Sequence, residues 1–275
     1  VAQFISRHQQ QLERASGADQ VALRSAGRSV ARLTEVKAAP VTQPARFLVG
    51  ERGALESVLL HPAPRTAPGK GEVEIEVRAT GLNFRDVLGA LGAYPGDPGP
   101  LGGECTGVIC AVGDGVTTLK VGDRVVALLA STGCFRTHAL CDARFVSRLP
   151  DTLSYVEGAT VPVAYATAIH GLEQLAGMRK GDRVLIHAAS GGVGMAAVQL
   201  ALSKGAEVFA TAGSPSKRRV LTELGVPHVF NSRDLNYVAQ IRALTGGLGV
   251  DLVLNSPGVE HVRESLGLMR EGGRF

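Results

Sequence analysis

The stretch Arg183–Ala212, RVLIHAASGGVGMAAVQLALSKGAEVFATA, constrains the fold more than any other part of the chain. Arg183–Ala188 is β-branched and apolar, the signature of a strand buried on both faces. It is cut by Ala189-Ser190-Gly191-Gly192-Val193-Gly194, after which Met195–Ser203 reads as a small-residue helix closed by Gly205. A second apolar run, Glu207–Ala212, completes a βαβ unit. The turn matches G-x-G-x-x-G with Ala189 in the first place. Gly191 and Gly192 let backbone N–H groups approach a pyrophosphate. Gly194 lets helix and strand close up, and the helix N-terminus adds partial positive charge. Ser190 and Val193 complete the set expected to bind a dinucleotide. The alternative is a plain tight strand-to-helix turn.

The residues just after the second strand indicate which nucleotide. A site for the unphosphorylated carrier wants Asp or Glu about 20 residues on, to bind the ribose 2′-OH. The sequence gives instead Gly213-Ser214-Pro215-Ser216-Lys217-Arg218-Arg219. No acid is there to repel a 2′-phosphate, and hydroxyls and cations (Ser214, Lys217 and Arg218) are there to hold one. Ser214 with Pro215 also fits an N-cap and first helical residue. The expected cofactor is NADPH rather than NADH.

With 275 residues, 45% hydrophobic and 20% charged, the chain is globular and long enough for two domains. Its formal charge of +4 is scattered, with no stripe of the kind that binds nucleic acid. No apolar run is long enough to span a membrane, and the first residues carry no secretory pattern. Cys105, Cys110, Cys134 and Cys141 lack metal-ligand spacing and read as reduced, largely buried thiols of a cytoplasmic protein.

Val1–Gly17 places Phe4, Ile5, His8 and Leu12 on one stripe and reads as a linker or docking helix. Gln20–Leu33 reads as a hairpin about Ser-Ala-Gly-Arg. From Ala45 the texture is that of a small β-barrel-like domain: Phe47–Leu60 as a strand, then Glu72–Ala79 with Val73, Ile75 and Val77 alternating against charged residues. A short helix is expected at Asn83–Leu91, and strands at Thr106–Val112 and Val121–Ala127. From Ser154 strands and helices alternate. Tyr155–Leu175 is helical, followed by the βαβ unit, the helix Pro215–Leu224, the strand His228–Asn231 and the helix Tyr237–Leu244. Then come the strand Val250–Asn255, the helix His261–Met269 and the opening of a fifth strand at Gly272–Phe275. This predicts an α/β chain with a doubly wound parallel sheet. Its expected parts are a leader over 1–44, a barrel domain over 45–153 and a nucleotide domain over 154–275 that stops before its last strands.

The motifs GLNFRDVLGALGAYPG (81–96), LGGECTGVICAVGDGV (101–116), VPVAYATAIHGL (161–172), HAASGGVGMAAVQLA (187–201) and VDLVLNSPG (250–258) together resemble the medium-chain dehydrogenase/reductase superfamily. The likeness runs from about Ala45 to Phe275, within the quinone-oxidoreductase-like branch. It is strongest to the enoyl reductase domains of modular polyketide synthases and animal-type fatty acid synthases. The resemblance implies a GroES-like substrate domain followed by a Rossmann domain. It also implies a carrier-protein partner bearing a pantetheine-bound enoyl chain, with neighbouring synthase domains. Zinc members of the superfamily carry a Cys and a His where this chain has Asn83 and Gly103, and Glu104 alone does not make a metal site. The implied chemistry is metal-free hydride transfer.

By the same resemblance, Tyr94 lies close to the nicotinamide and the substrate α-carbon, as a proton donor or a guide to the face of protonation. Asn83 and Thr167 lie near the nicotinamide ring and its carboxamide. Asn255 and Ser256, ending a strand at the sheet's carboxyl edge, are expected to contact cofactor. Ser232 and Arg233, beyond the third strand, are expected to join Lys217 at the 2′-phosphate. The Lys and Asp suggested as proton donors in such reductases fall after the last residue of this sequence. His138 and His170 read as structural imidazoles. A free-standing quinone or enone reductase and an inactive module serving as scaffold are the alternative readings.

Overall fold

The computed structural model describes residues 21–24, 27–30, 41–129, 131–256 and 259–275. The chain divides into two compact units, 1–42 and 43–275. In the first, β1 (Val21–Arg24) and β2 (Gly27–Val30) form an antiparallel hairpin with Arg24 opposite Gly27. This matches the expected hairpin. The stripe of Phe4, Ile5, His8 and Leu12 lies outside the described residues.

The second unit opens with β3 (Ala45–Val49) and β4 (Val58–Pro62), an antiparallel pair joined by a loop and one 3-10 turn, Leu55–Ser57. The single strand expected over Phe47–Leu60 is therefore two. The apolar runs look continuous in sequence, but Gly50–Gly53 turns between them, with Gly53 at φ 102°.

An antiparallel five-stranded sheet follows, built from β5 (Glu72–Thr80), β6 (Glu104–Val112), β7 (Arg124–Leu128), β8 (His138–Asp142) and β9 (Val146–Arg148). Its spatial order is β8-β5-β6-β7-β9. The alternation read in β5 puts Val73 and Ile75 in its core with Cys105, Ile109 and Val125. Between β5 and β6 lies the short helix α1 (Phe84–Ala90).

The helical stretch read over Tyr155–Leu175 is three pieces: α2 (Tyr155–Gly158), α3 (Pro162–Ile169) and a π-helical turn, His170–Leu175. Pro162 at the first turn of α3 separates the helices, since proline lacks the N–H that would continue α2. In the π turn the Ala176 amide donates to the Gly171 carbonyl, five residues back, at 3.0 Å.

The parallel sheet is β10 (Arg183–Ile186), β11 (Glu207–Ala212), β12 (His228–Asn231), β13 (Val250–Leu254) and β14 (Met269–Arg274), in the order β12-β11-β10-β13-β14. Its helices are α4 (Gly192–Ser203), α5 (Pro215–Glu223), α6 (Asn236–Leu244) and α7 (Val259–Gly267). Both faces are covered. Val184, Ile186, Val208 and Ala210 pack with Ala197 and Ala201 of α4, while Leu185, Phe209 and Val253 pack with Tyr237 and Ile241 of α6. Such two-sided burial is why these strands are continuous apolar runs. Among the described residues, no helix is long and apolar enough to cross a membrane.

Candidate active site

The parallel strands all end at one edge, and the loops leaving that edge hold most of the predicted residues. The Ala189 amide donates to the Thr211 carbonyl at 3.0 Å, and the Gly191 amide folds back to the Ala188 carbonyl at 2.9 Å. Ala188 sits at φ 46°, the single non-glycine residue with positive φ among those described. Gly191 caps α4, so this helix begins three residues earlier than Met195, the start read from sequence.

The glycines of the turn have separate jobs. A Cβ on Gly194 would lie 2.4 Å from the Ala188 carbonyl oxygen and 2.6 Å from the Ala189 Cα, so only glycine lets α4 close on β10. A Cβ on Gly192 would meet nothing within 4 Å. That glycine leaves open space in front of the first amides of α4, those of Gly192, Val193 and Gly194. In a helix such amides have no partner within the helix and carry the positive end of its dipole. Ser190 is half-buried beside them.

At the end of β11, Ser214 caps α5, its Oγ accepting the Lys217 amide at 3.3 Å and lying 3.0 Å from the Ser216 Oγ. Arg218 Nη1 donates to the Ala212 carbonyl at 3.2 Å and to Asn231 Oδ1 at 3.3 Å. The Arg233 amide donates to the same Asn231 oxygen at 3.2 Å. Arg233 Nε and Ser232 Oγ lie 3.3 and 3.6 Å from where a Gly213 Cβ would stand. Ser214, Arg218, Ser232 and Arg233 thus gather round Gly213, with the Lys217 side chain exposed on the same helical turn. Asp234, just beyond Arg233 in sequence, accepts hydrogen bonds from the Asn231 side chain and the Asn236 amide. Asn231, which aligns both arginines, was not among the residues read from sequence; its place at a strand end was the available signal.

Asn255 and Ser256 follow β13 at the same edge, and Ser256 Oγ donates to the His187 carbonyl at 3.3 Å. The His187 ring is buried, with Nδ1 2.9 Å from Thr211 Oγ1 and Nε2 2.8 Å from Ser265 Oγ. Tyr237 packs edge-on against the ring, and its hydroxyl lies 3.3 Å from His261 Nδ1. Burial, reinforced by His261, pushes the His187 pKa down to about 4.

A second group lies where β6 meets α3. Asn83 Nδ2 donates to Glu104 Oε1 at 2.8 Å, and the Val163 amide, in the first turn of α3, donates to Glu104 Oε2 at 2.8 Å. Asp86 accepts the Asn83 amide at 2.9 Å and the Gly102 amide at 2.8 Å. Glu104 and Asp86 are both buried. A Cβ on Gly81 would lie 2.2 Å from Glu104 Oε1, which is why this carboxylate needs glycine opposite it. Sequence reading treated Glu104 only as an insufficient metal ligand; the signal missed was an acid opening an apolar strand. Thr167, exposed one turn along α3, donates its hydroxyl to the Val163 carbonyl at 2.7 Å.

Asn83 and Gly103 are neighbours, a Cβ on Gly103 falling 4.0 Å from Asn83 Nδ2. Among the described residues no three His, Cys, Asp or Glu side chains are grouped to hold a metal. Cys105, Cys134 and Cys141 are buried free thiols, and burial raises Cys141 to about 12. Tyr94 is half-buried on the loop after α1, its amide donating to the Leu88 carbonyl at 3.2 Å. The Arg85 guanidinium lies 5.8 Å from its ring centre. Among the described residues, no hydrogen bond joins the Tyr94 side chain to either group. His170 faces Gln174 at 2.7 Å and His138 faces Thr137 at 3.1 Å.

Residues 69–151 match the model of the alcohol dehydrogenase GroES-like domain, and residues 192–275 that of zinc-binding dehydrogenases. A mycocerosic acid synthase-like polyketide synthase of Mycolicibacterium smegmatis is 46% identical over 84% of this chain and 11% of its own length. Erythronolide synthase EryA2 of Saccharopolyspora erythraea is 47% identical over 93% of this chain and 7% of its own length. The chain thus spans about a tenth of the length of the curated relatives it matches. Among solved structures, the CurK enoyl reductase superposes with a TM-score of 0.80 at 43% identity, covering 85% of this chain and 73% of that one. A quinone oxidoreductase of Pseudomonas syringae pv. Tomato DC3000 gives 0.75 at 29%, covering 85% and 76%. The expected pairing of a GroES-like with a Rossmann-type domain is therefore observed, and the chain belongs to the medium-chain dehydrogenase/reductase superfamily as an enoyl reductase domain of the polyketide synthase type.

Proposed function

We propose that this domain uses NADPH, without zinc, to reduce the α,β-double bond of an enoyl thioester held on an acyl carrier protein within a cytoplasmic synthase. The substrate domain is taken as 45–153 and the nucleotide domain as 154–275, with 1–44 leading into them. The observation that carries the cofactor reading is the sheet edge itself. Open space lies before the amides of Gly192, Val193 and Gly194, and one strand over, Ser214, Arg218, Ser232 and Arg233 surround Gly213. The first group suits a pyrophosphate and the second, with Lys217, a 2′-phosphate.

NADPH, when bound, supplies the hydride for the substrate β-carbon. The amides of Gly192, Val193 and Gly194 hold the pyrophosphate beside Ser190, with Gly191 shaping the turn through its bond to Ala188, and Asn255 and Ser256 flank it at the strand end. Asn83 and Thr167 orient the nicotinamide ring and its carboxamide; Glu104 fixes Asn83 by accepting its Nδ2. Tyr94 holds a proton on its phenolic oxygen for the α-carbon, its ring steadied by Arg85. Donor chemistry supports the zinc-free reading. The amide of Asn83 is committed to Glu104, and Gly103 offers no side chain.

The test is stopped-flow NADPH oxidation by the domain in its synthase, with a crotonyl-pantetheine thioester and with a quinone. Oxidation by the thioester is expected, with NADH slower. Turnover of the quinone alone would make it a quinone reductase. Equal rates with NADH would overturn the phosphate reading. Neither turnover nor NADPH binding would leave a scaffold.

A further inference from the structure

Three arginines gather outside the site above, at a cleft of about 200 Å³ between β3, the loop Pro98–Leu101 and the segment Thr132–Arg136. Its charged lining residues are Arg46, Arg52 and Arg136, with no carboxylate among them. Arg46 and Arg136 are bridge partners on antiparallel segments, held in register by the Phe47 amide on the Phe135 carbonyl at 2.8 Å and the Thr137 amide on the Ala45 carbonyl at 2.9 Å. Like charges directly opposite one another oppose strand pairing. Arg136 Nε is also buried without a hydrogen-bond partner, and among the described residues neither guanidinium of this pair forms an ion pair. Burial and the nearby Arg46 push the Arg136 guanidinium below its ordinary value. Glu74, whose charge reaches Arg136, gives both its oxygens to Arg65 at 2.9 and 2.6 Å. Arg52 pairs, among the described residues, with the exposed Asp97 at 3.4 Å.

We infer that this three-arginine cleft of the substrate domain is a binding site for a phosphate-class oxyanion, separate from the nucleotide site. Guanidinium forks match the oxygens of such an anion in pairs, and its charge offsets the repulsion between Arg46 and Arg136. The cleft is several times the roughly 30 Å³ of a water molecule, room for a phosphate with part of its hydration. Its back wall includes Gly133, at φ 69°, where a Cβ would stand 2.6 Å from the Leu101 carbonyl oxygen. The inference goes beyond the proposed reduction and does not rest on it.

The experiment is a thermal-unfolding titration of the chain with inorganic phosphate against chloride of equal ionic strength. The chain and Arg218→Gln, a control at the other cationic cluster, are expected to show a saturable rise in Tm. Arg46→Gln and Arg136→Met are expected to raise the phosphate midpoint about tenfold or more. Arg136→Met should unfold no lower than the parent without phosphate; if it fails to fold, the exposed Arg46→Gln carries the test. A rise matched by chloride, unchanged in Arg46→Gln, or lost only in Arg218→Gln overturns the site. A parallel titration with phosphopantetheine separates the sources. A lower midpoint than for inorganic phosphate assigns the cleft to a carrier-borne arm, and an equal one to a free oxyanion.

Discussion

Buried polar side chains tie segments together in both sheet domains, but not with the same chemistry throughout. In the antiparallel domain three are carboxylates, beside the hydroxyl of Thr106, and each carboxylate takes a donor from another segment: Asn83 and Val163 on Glu104, Gly102 on Asp86 (which also accepts the Asn83 amide within its own helix cap), Arg65 on Glu74. Hydrogen bonding from Arg65 holds Glu74 below the usual carboxylate range. In the parallel domain the carboxylate Asp251 is held the same way, accepting the Arg183 amide and pairing with Arg270, and the difference lies in His187, an imidazole kept neutral between the hydroxyls of Thr211 and Ser265. Carboxylates can tie segments that approach from different directions, because four lone-pair sites accept from several sides. The His187 ring ties two strands to α7 without adding a charge of its own.

The sharpest way to break the contrast is Glu104→Ala. It strips acceptors from the Asn83 amide and the Val163 N–H together, an expected loss of about 4 kcal/mol for two hydrogen bonds to a buried carboxylate. Urea unfolding measures it, and Glu104→Gln should recover part. Acid comes next. His187 titrates near 4 in the fold against 6.5 in an open chain, so between those values the unfolded state binds more protons. Its stabilisation is therefore present above pH 6.5 and lost as pH falls toward 4, by about 3 kcal/mol in all. Urea midpoints from pH 7 to 4.5 should show the slope, and His187→Gln should flatten it.

The glycine turn sharpens the comparison further. Gly194→Ala drives a methyl into the Ala188 backbone and should cost about 2 kcal/mol, read as a lower Tm. Gly192→Ala meets nothing and should leave Tm unchanged while weakening NADPH binding in a fluorescence titration. Ser214→Ala should cost about 1 kcal/mol from a lost cap, with a reduced preference for NADPH over NADH in the same assay.

Much of this was legible in sequence because one-dimensional period and local burial coincide. Val73 and Ile75 alternate inward as read, and His228–Asn231 is a strand with the bounds read for it. The turn into α4 and the start of α5 were legible because glycines and an N-cap serine are local signals. What escaped was long-range. The break between β3 and β4 was hidden by apolar residues on both sides of a glycine turn. Glu104 finds Val163 across 59 positions, and Asn231 aligns Arg218 and Arg233 only once β11 and β12 lie side by side. The widened turn after α3 has the same composition as ordinary helix and left no trace in the pattern.

That widened turn holds one residue more than an ordinary helical turn, its Ala176 amide reaching five residues back instead of four. Removing one residue from His170–Leu175 would let the segment wind as plain α-helix, with Val163 still facing its carboxylate and Thr167 keeping its aim. Adding one more has no such reserve. About 100° of extra twist per residue would act as a misaligned key, leaving each sheet intact while spoiling the way one half is clocked against the other.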